Sequence, residues 1–202
     1  MLEEARRLGF LGPGPVVAHL RHAGGFADAI RTGWPEALVL RSAVDLGSGG
    51  GVPALPLAFE FPETAWVLVE AGVRRTAFLR TAVDLLGLST RLTVVETRAE
   101  ALGRQPDHRT GHELVVARGF GPPGVTAECA APLLVVGGRA VVSDPPGGAS
   151  ERWPVEGLGT VGMTPGPAVH AQGAAYQILL QQARCPERYP RRIGVPAKRP
   201  LF

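Results

Sequence analysis

From Ala43 onwards, short runs of valine and leucine alternate with longer segments that have helical periodicity. The short runs predict five strands, at Ala43–Leu46, Trp66–Val69, Leu92–Val95, Leu114–Ala117 and Ala140–Ser143. The intervening segments predict helices at Val52–Phe59, Val73–Leu86, Arg98–Leu102 and Val125–Val135. Alternating strands and helices form right-handed crossovers. We therefore predict an α/β fold in which a mostly parallel sheet carries helices on both faces.

The pattern is less regular near the C-terminus. Gly137 and Gly138 predict a turn that ends the preceding helix before the fifth strand. Ser143 to Pro154 is rich in proline and glycine, which predicts a loop. Two further strands are predicted around Leu158–Met163 and Ala175–Gln181, antiparallel at one edge of the sheet.

The first 40 residues have a helical pattern with one interruption. Leu2, Ala5 and Leu8 share a helical face, Gly9 to Pro15 breaks the pattern, and a second helical segment runs from Val16 to Ile30. We predict a short helical extension over residues 1–40 and a single domain over residues 41–202, which ends in a basic tail at 184–202. His19 and His22 lack a third metal ligand, so an ordinary helix surface is favoured.

The charge of the chain is unevenly distributed only in the C-terminal tail, which is basic. With 45% hydrophobic and 19% charged residues, the chain has the composition of a folded globular protein, which argues against wholesale disorder. After Ala183 there are six basic residues and one acidic residue, Glu187. Such a tail suggests an anionic partner such as nucleic acid, although a solvated tail fits the charge equally well.

The cysteines, the N-terminus and the hydropathy exclude several classes. Cys129 and Cys185 form no disulfide framework and have no zinc-ligand spacing, so no metal is predicted. Glu3 and Glu4 lie where a signal peptide requires basic residues. No apolar stretch approaches the roughly 18 residues of a membrane span. We therefore expect a cytoplasmic protein with no membrane partner.

A glycine-rich turn follows the first predicted strand. Asp45 precedes Gly47, Gly49 and Gly51 in the pattern DxGxGxG, and glycines at such a turn let a ligand lie against the backbone. The acid would repel a pyrophosphate but suits the ammonium and sulfonium groups of S-adenosylmethionine. Glu70 ends the second strand, where Rossmann-like folds place the carboxylate that binds ribose hydroxyls. The segment at Glu100 occupies the position that lines the adenine pocket. The fold is thus predicted to be that of a Rossmann-like S-adenosylmethionine-dependent methyltransferase.

The resemblance then becomes specific. The chain resembles the 16S ribosomal RNA guanine-N7 methyltransferases of the RsmG (GidB) type in five stretches between residues 43 and 202. These stretches are DLGSGGGVP at 45–53, LVE with RRTAFLR at 68–80, RAE at 98–100, VVARGF at 115–120 and YPRRIGVPAKRPL at 189–201. The fourth-strand arginine and the closing tail are the more selective of these.

The resemblance implies specific roles for residues. It places cofactor contacts at Gly47, Val52, Ala99, Glu100 and Arg118, with the ribose on Glu70. It also places Arg118, as the catalytic residue, beside the cofactor and the incoming base, and it implies small-subunit ribosomal RNA as the partner. The tail residues that would bind RNA phosphates are Arg191, Arg192, Lys198 and Arg199.

The chain departs from the family pattern in two places. Val52 and Ala54 stand where the family has a larger apolar residue and a second glycine, and the N-terminal helical part is shorter than usual. The shorter extension puts the substrate in doubt more than the chemistry.

The implied reaction is a displacement by the lone pair of guanine N7, which requires alignment and desolvation but no base. The sequence fits this because it shows no catalytic dyad. His108 and His112 are expected to be exposed in a polar loop without partners. Phe120 fits either a stacking role against the base or a place in the core.

Several alternatives stay open. The chain could methylate another RNA or a small molecule, or be a noncatalytic RNA-binding protein on a decayed methyltransferase scaffold. Ser143-Asp144-Pro145-Pro146 resembles the motif of adenine amino-methyltransferases, but it follows the fifth strand and ends in Gly147 where that motif has an aromatic residue.

Overall fold

The N-terminal extension forms two helices. The computed structural model describes residues 1–34, 39–145 and 150–202. Helix α1 spans Leu2–Arg7 and helix α2 spans Val16–Gly33, so the interruption lies where the glycines and prolines predict it. One face of α2 is buried at Ala23, Phe26 and Ile30, and this face packs against the sheet and the helix that follows the first strand.

The remainder of the described chain alternates between strands and helices. In chain order these are β1 (Ser42–Leu46), α3 (Ala54–Glu60), β2 (Ala65–Glu70), α4 (Val73–Leu85), β3 (Leu92–Glu96), α5 (Ala99–Leu102), β4 (His112–Ala117), α6 (Pro123–Ala130), β5 (Leu134–Asp144), α7 (Val155–Gly159), β6 (Met163–Ala171), β7 (Ala174–Gln181) and α8 (Val195–Lys198). The first four predicted strands each match an observed strand to within two residues at either end.

The seven strands form one sheet in the order β3-β2-β1-β4-β5-β7-β6. Strands β1 to β5 are parallel, whereas β7 pairs antiparallel with both β5 and β6. The strand order reverses between β1 and β4, which opens a crevice at the carboxyl ends of these strands. The predicted fold class is confirmed, as is the antiparallel edge.

Alternate side chains of the central strands pack into two hydrophobic cores, one on each face of the sheet. Leu114 and Val116 join the core that contains Phe26 of α2, whereas Val115 and Ala117 join the core on the opposite face. Both faces of the sheet are therefore covered, which explains the nearly continuous apolar runs in the sequence.

Two predictions near the C-terminus are wrong. Gly137 and Gly138 lie inside β5 and form no turn, because α6 ends at Ala130 and a 3-10 turn at Ala131–Leu133 leads directly into the strand. At Gly138, a Cβ would lie 3.0 Å from the carbonyl oxygen of Glu113, so glycine there permits close strand approach. The strand expected around Leu158–Met163 is instead α7, which begins after Pro154, and β6 starts only at Met163.

The loop predicted from Ser143 to Pro154 is only partly observed. Ser143 and Asp144 still belong to β5, and Ser150–Arg152 forms a 3-10 turn. Residues 146–149 of this prediction lie outside the described residues. The division into an extension and a domain at residue 40 stays a prediction.

Candidate active site

A cavity of about 320 Å³ opens at the carboxyl ends of β1 to β4. Among the residues predicted to hold the cofactor, those on its wall are Gly47, Glu70, Ala99 and Glu100. Phe120, which follows β4, also lines the cavity. The crevice at the ends of the strands therefore contains four of the predicted cofactor residues. The other five, Asp45, Gly49, Gly51, Val52 and Arg118, do not line it.

The glycine turn depends on backbone conformations that favour glycine. Gly47, Gly49 and Gly51 have φ angles of +69°, +54° and +88°. A Cβ at Gly47 would lie 3.0 Å from the Phe120 ring, and one at Gly51 would collide with Leu55. The turn therefore presents bare backbone at the cavity while its far end packs tightly against α3.

Glu70 is buried at the end of β2 with its carboxylate fixed by the backbone. Oε2 accepts the N–H of Gly49 at 3.0 Å, and Oε1 accepts the N–H of Gly72 at 2.8 Å. The Arg75 guanidinium lies 3.8 Å from Oε1. Each carboxylate oxygen accepts more than one hydrogen bond, so Glu70 can still receive a pair of hydroxyl groups from the cavity side.

Asp45 lies at the end of β1 and is only 1% exposed. Its Oδ2 has no hydrogen-bond partner among the described residues. Burial raises the pKa of this carboxyl group to about 7, although the hydroxyl of Ser48 and the backbone of Ala54 act in the opposite direction. Asp45 is not on the wall of the cavity. Asp45 is therefore a buried acid at the start of the glycine turn, with one carboxylate oxygen unpaired in the described residues.

Glu100 is buried near the start of α5 and contacts the C-terminal segment. Its Oε1 accepts the N–H of Gly194 at 3.0 Å, and Arg98 Nε lies 3.7 Å from Oε2. Ala197 of α8 reaches the cavity wall. The C-terminal segment is therefore one side of the site and is not only a solvated tail.

Arg118 follows β4 and is half-buried, and burial lowers the pKa of its guanidinium group. Its Nη2 donates to His19 Nδ1 at 2.6 Å, and His19 Nε2 donates to the carbonyl oxygen of Gly12 at 3.1 Å. The prediction that His19 lies on an ordinary helix surface is wrong, since its side chain is buried. His19 precedes Ala23 by four residues and Phe26 by seven, so helical spacing was the signal that could have placed it on the buried face.

His22 is also not an ordinary surface residue. Its ring packs against Phe26 and Tyr176, with centroids 5.5 and 5.4 Å apart. Burial, followed by the nearby positive charge of Arg118, lowers the pKa of His22 to about 4. In the described residues, no group of three potential metal ligands is found.

Val52 is buried just before α3 and does not line the cavity. Its predicted contact with a cofactor, like the other cofactor roles, stays a prediction.

The four tail residues predicted to bind RNA differ in their surroundings. Arg191 forms a two-pronged ion pair with the fully buried Glu128, with Nε–Oε1 at 2.8 Å and Nη2–Oε2 at 2.5 Å. Arg192, Lys198 and Arg199 are exposed and make no ion pair within the described part of the chain. Arg191 is thus engaged within the protein, whereas the other three are available to a partner.

His108 and His112 differ from the prediction. His112 begins β4 and is buried, and its Nε2 lies 3.3 Å from His108 Nδ1. Burial lowers the pKa of His112 to about 4. The two histidines are therefore partners rather than exposed, unpaired groups. They lie at the amino end of β4, away from the cavity.

Comparison with known proteins identifies the family. The GidB family model, described as rRNA small subunit methyltransferase G, matches residues 33–143. The chain belongs to this family. A relative named ribosomal RNA small subunit methyltransferase G from Rubrobacter xylanophilus is 38% identical over 78% of the chain and 64% of its own length. One of the same name from Roseiflexus castenholzii is 34% identical over 88% and 78%.

A solved structure agrees with the fold. A SAM-dependent methyltransferase from Aquifex aeolicus superposes with a TM-score of 0.59 over 89% of the chain and 97% of its own, at 12% identity. Membership of the GidB family confirms the predicted class of enzyme, a methyltransferase that uses S-adenosylmethionine. The chain spans just under two thirds of the length of the Rubrobacter protein.

The structure gives Asp144 of the Ser143–Pro146 motif a structural role. Its carboxylate accepts the indole N–H of Trp153 at 3.0 Å and lies 3.5 Å from Arg152 Nε. Asp144 is the last residue of β5, whereas the adenine amino-methyltransferase motif belongs at the end of the fourth strand. Pro146 lies outside the described residues.

In the described residues, no helix is long and apolar enough to cross a membrane.

Proposed function

We propose that this chain transfers the methyl group of S-adenosylmethionine to N7 of a guanine in small-subunit (16S) ribosomal RNA. The observation that carries the proposal is the cavity at the β1–β4 crevice. It combines bare glycine backbone, the buried carboxylate of Glu70 and the segment at Gly119 and Phe120, which directly follows Arg118. The names of the family relatives supply the substrate, since they are ribosomal RNA small subunit methyltransferases.

The residues present fit the cofactor. Glu70 has free acceptor capacity for the ribose hydroxyls, and the backbone at Gly47 offers a surface without a side chain. Ala99 and Glu100 lie where the adenine would be held. Asp45, whose Oδ2 has no partner in the described residues, would supply negative charge near the turn when it ionises, which suits a cofactor that carries an ammonium and a sulfonium group. When bound, this cofactor supplies an activated methyl group.

The residues around the cavity need only align and desolvate the base. Guanine N7 carries a free lone pair, so no proton has to be removed before it attacks. Cys129 is the only cysteine on the cavity wall, and burial raises the pKa of its thiol, which keeps it protonated and unreactive. Phe120, half-buried on the wall beside Gly47, offers a ring on which the base can stack.

The surface next to the cavity suits a nucleic acid strand. A shallow groove shares Glu100 with the cavity and is lined by Arg104, Arg192 and the exposed side chain of Ile193. Lys198 and Arg199 extend the positive charge along the tail. Guanidinium groups beside the site would bind the phosphates of an unpaired RNA segment. Since its substrate is ribosomal RNA, the protein is proposed to act in the cytoplasm.

The experiment uses small ribosomal subunits from a strain that lacks the gene. Purified protein and labelled S-adenosylmethionine are added, and N7-methylguanosine is located by borohydride reduction and aniline cleavage of the RNA. We expect the protein to methylate one guanine in these subunits. The same guanine should carry the N7-methyl group in RNA from wild-type cells and lack it in RNA from the strain without the gene. A protein that binds the cofactor but methylates only other RNA or a small molecule would contradict the substrate. One that binds no cofactor would favour the noncatalytic scaffold.

A further inference from the structure

Arg118 is oriented by the N-terminal extension and not by the sheet alone. Its Nη2 lies 2.6 Å from His19 Nδ1, and His19 belongs to α2, 99 residues earlier in the chain. Within the described residues this is the only side-chain hydrogen bond of Arg118, and Arg118 makes no ion pair there. The direction of the guanidinium group therefore depends on one histidine nitrogen.

The hydrogen bonds require a neutral His19 with a defined tautomer. Arginine has only donors, so His19 Nδ1 must accept, and Nε2 carries the proton that it donates to the Gly12 carbonyl oxygen at 3.1 Å. Burial, followed by the positive charge of Arg118, lowers the pKa of His19 and favours this neutral form. The other ionisable groups that influence His19 or Arg118 are Arg6, His22, Asp45 and Tyr176.

The same hydrogen-bonded chain ends next to the segment that covers the glycine turn. A Cβ on Gly50 would lie 2.9 Å from the carbonyl oxygen of Phe10 and 2.8 Å from Leu11 Cδ2. The segment at Phe10 and Leu11 thus lies directly on the turn, and Gly12 immediately after it is held by His19. His19 therefore connects the turn, the extension and the end of β4.

We propose that His19 is a positioning residue for methyl transfer, which holds the Arg118 guanidinium in the orientation used beside the reacting base. The inference rests on the proposed function, since it requires Arg118 to act at the transfer step. It extends the site to the N-terminal extension, to which the predicted cofactor and RNA contacts assign nothing.

The test compares His19→Ala, His19→Asn and, as a control on the exposed face of the same helix, Arg21→Ala. The readouts are kcat, KM for the RNA, the Kd of S-adenosylmethionine from calorimetry, and the unfolding midpoint. We expect His19→Ala to lower kcat by about 10- to 100-fold through misalignment of Arg118. The Kd for the cofactor should change by no more than about threefold, because the groups proposed to hold the ribose and the adenine, Glu70 and Glu100, are fixed by hydrogen bonds that do not involve His19.

His19→Asn keeps an acceptor near the position of Nδ1 and should recover most of the lost kcat, whereas Arg21→Ala should match wild type. In an Arg118→Ala background, His19→Ala should cause no further loss, because the two residues act as a unit.

The outcomes separate the inference from the proposed function. A wild-type protein that does not methylate the RNA contradicts the proposed function itself. A wild-type protein that is active, together with a folded His19→Ala variant of full activity, overturns the inference alone. His19→Ala and His19→Asn could instead lose kcat equally, in step with a lowered unfolding midpoint. That result would assign His19 a purely structural role and would also overturn the inference.

Discussion

Asp45 should destabilise the free protein at neutral pH, and Asp45→Asn should remove this effect. The carboxyl group is 1% exposed, its Oδ2 lacks a partner in the described residues, and burial raises its pKa from the ordinary 3.8 to about 7. In the unfolded chain the same group ionises near its ordinary pKa. The folded state therefore holds a proton that the unfolded state releases, and folding is favoured less as the pH rises.

The sign and size follow from these two pKa values. Because the pKa of Asp45 is raised in the folded state, the stability that this group contributes is fully present below about pH 3.8. That stability is lost as the pH rises through about 7. Between pH 5 and pH 8, proton linkage then gives a loss of about 2–3 kcal/mol in the free energy of unfolding. Asparagine does not titrate, so the Asp45→Asn variant lacks this loss.

The assay is urea unfolding of wild type and Asp45→Asn without cofactor at several pH values from 5 to 8. The free energy of unfolding of Asp45→Asn minus that of wild type should increase by about 2–3 kcal/mol as the pH rises from 5 to 8. Asp107→Asn is the control, since Asp107 is exposed, and it should change the stability by about 0.5 kcal/mol or less at every pH. A difference between Asp45→Asn and wild type that does not vary with pH, or that falls as pH rises, would refute the reasoning.

The remaining predictions concern the tail and the ribose carboxylate. Arg191→Ala should lower the free energy of unfolding by about 3 kcal/mol, because it removes the only cation that pairs with the fully buried Glu128 carboxylate in the described residues and leaves it only the backbone N–H of residue 191. Arg192→Ala should leave urea unfolding within about 0.5 kcal/mol of wild type; equal effects would contradict the ion-pair assignment. Glu70→Gln should weaken calorimetric S-adenosylmethionine binding by about 10- to 100-fold through loss of charged hydrogen bonds, and an unchanged Kd would exclude its ribose role. Replacing Arg192, Lys198 and Arg199 by glutamine should reduce the slope of log affinity for single-stranded RNA against log salt by about 2, so an unchanged slope in fluorescence anisotropy would show that the tail does not contact phosphates.

The central sheet could be predicted because its signals are local. The strand that contains Val115 and Val116 is buried on both faces, so its sequence is an unbroken apolar run. The glycine turn could be predicted because it requires backbone conformations that few other residues adopt. Glu70 could be placed from its distance along the chain, since a strand and a crossover helix have limited lengths.

The errors arise where distant contacts decide the structure. Gly137 and Gly138 resemble a helix end, but β5 pairs with β4 on both sides of them, at Leu134 and again from Arg139, and the register shifts between these positions. The burial of Glu128 follows from its pairing with Arg191, which is 63 residues away and carries no local signal in the sequence. His19 could have been placed on the buried face of α2 from helical spacing, yet its hydrogen bond to Arg118 exists only in the folded chain.

The most direct test of the central claim is a crystal of the protein soaked with S-adenosylhomocysteine, the demethylated cofactor. The account predicts electron density in the cavity at the ends of β1 to β4, with the two sugar hydroxyl groups within hydrogen-bond distance of the Glu70 carboxylate. A soak at saturating concentration that leaves this cavity empty, or that places the compound elsewhere on the chain, would contradict the claim.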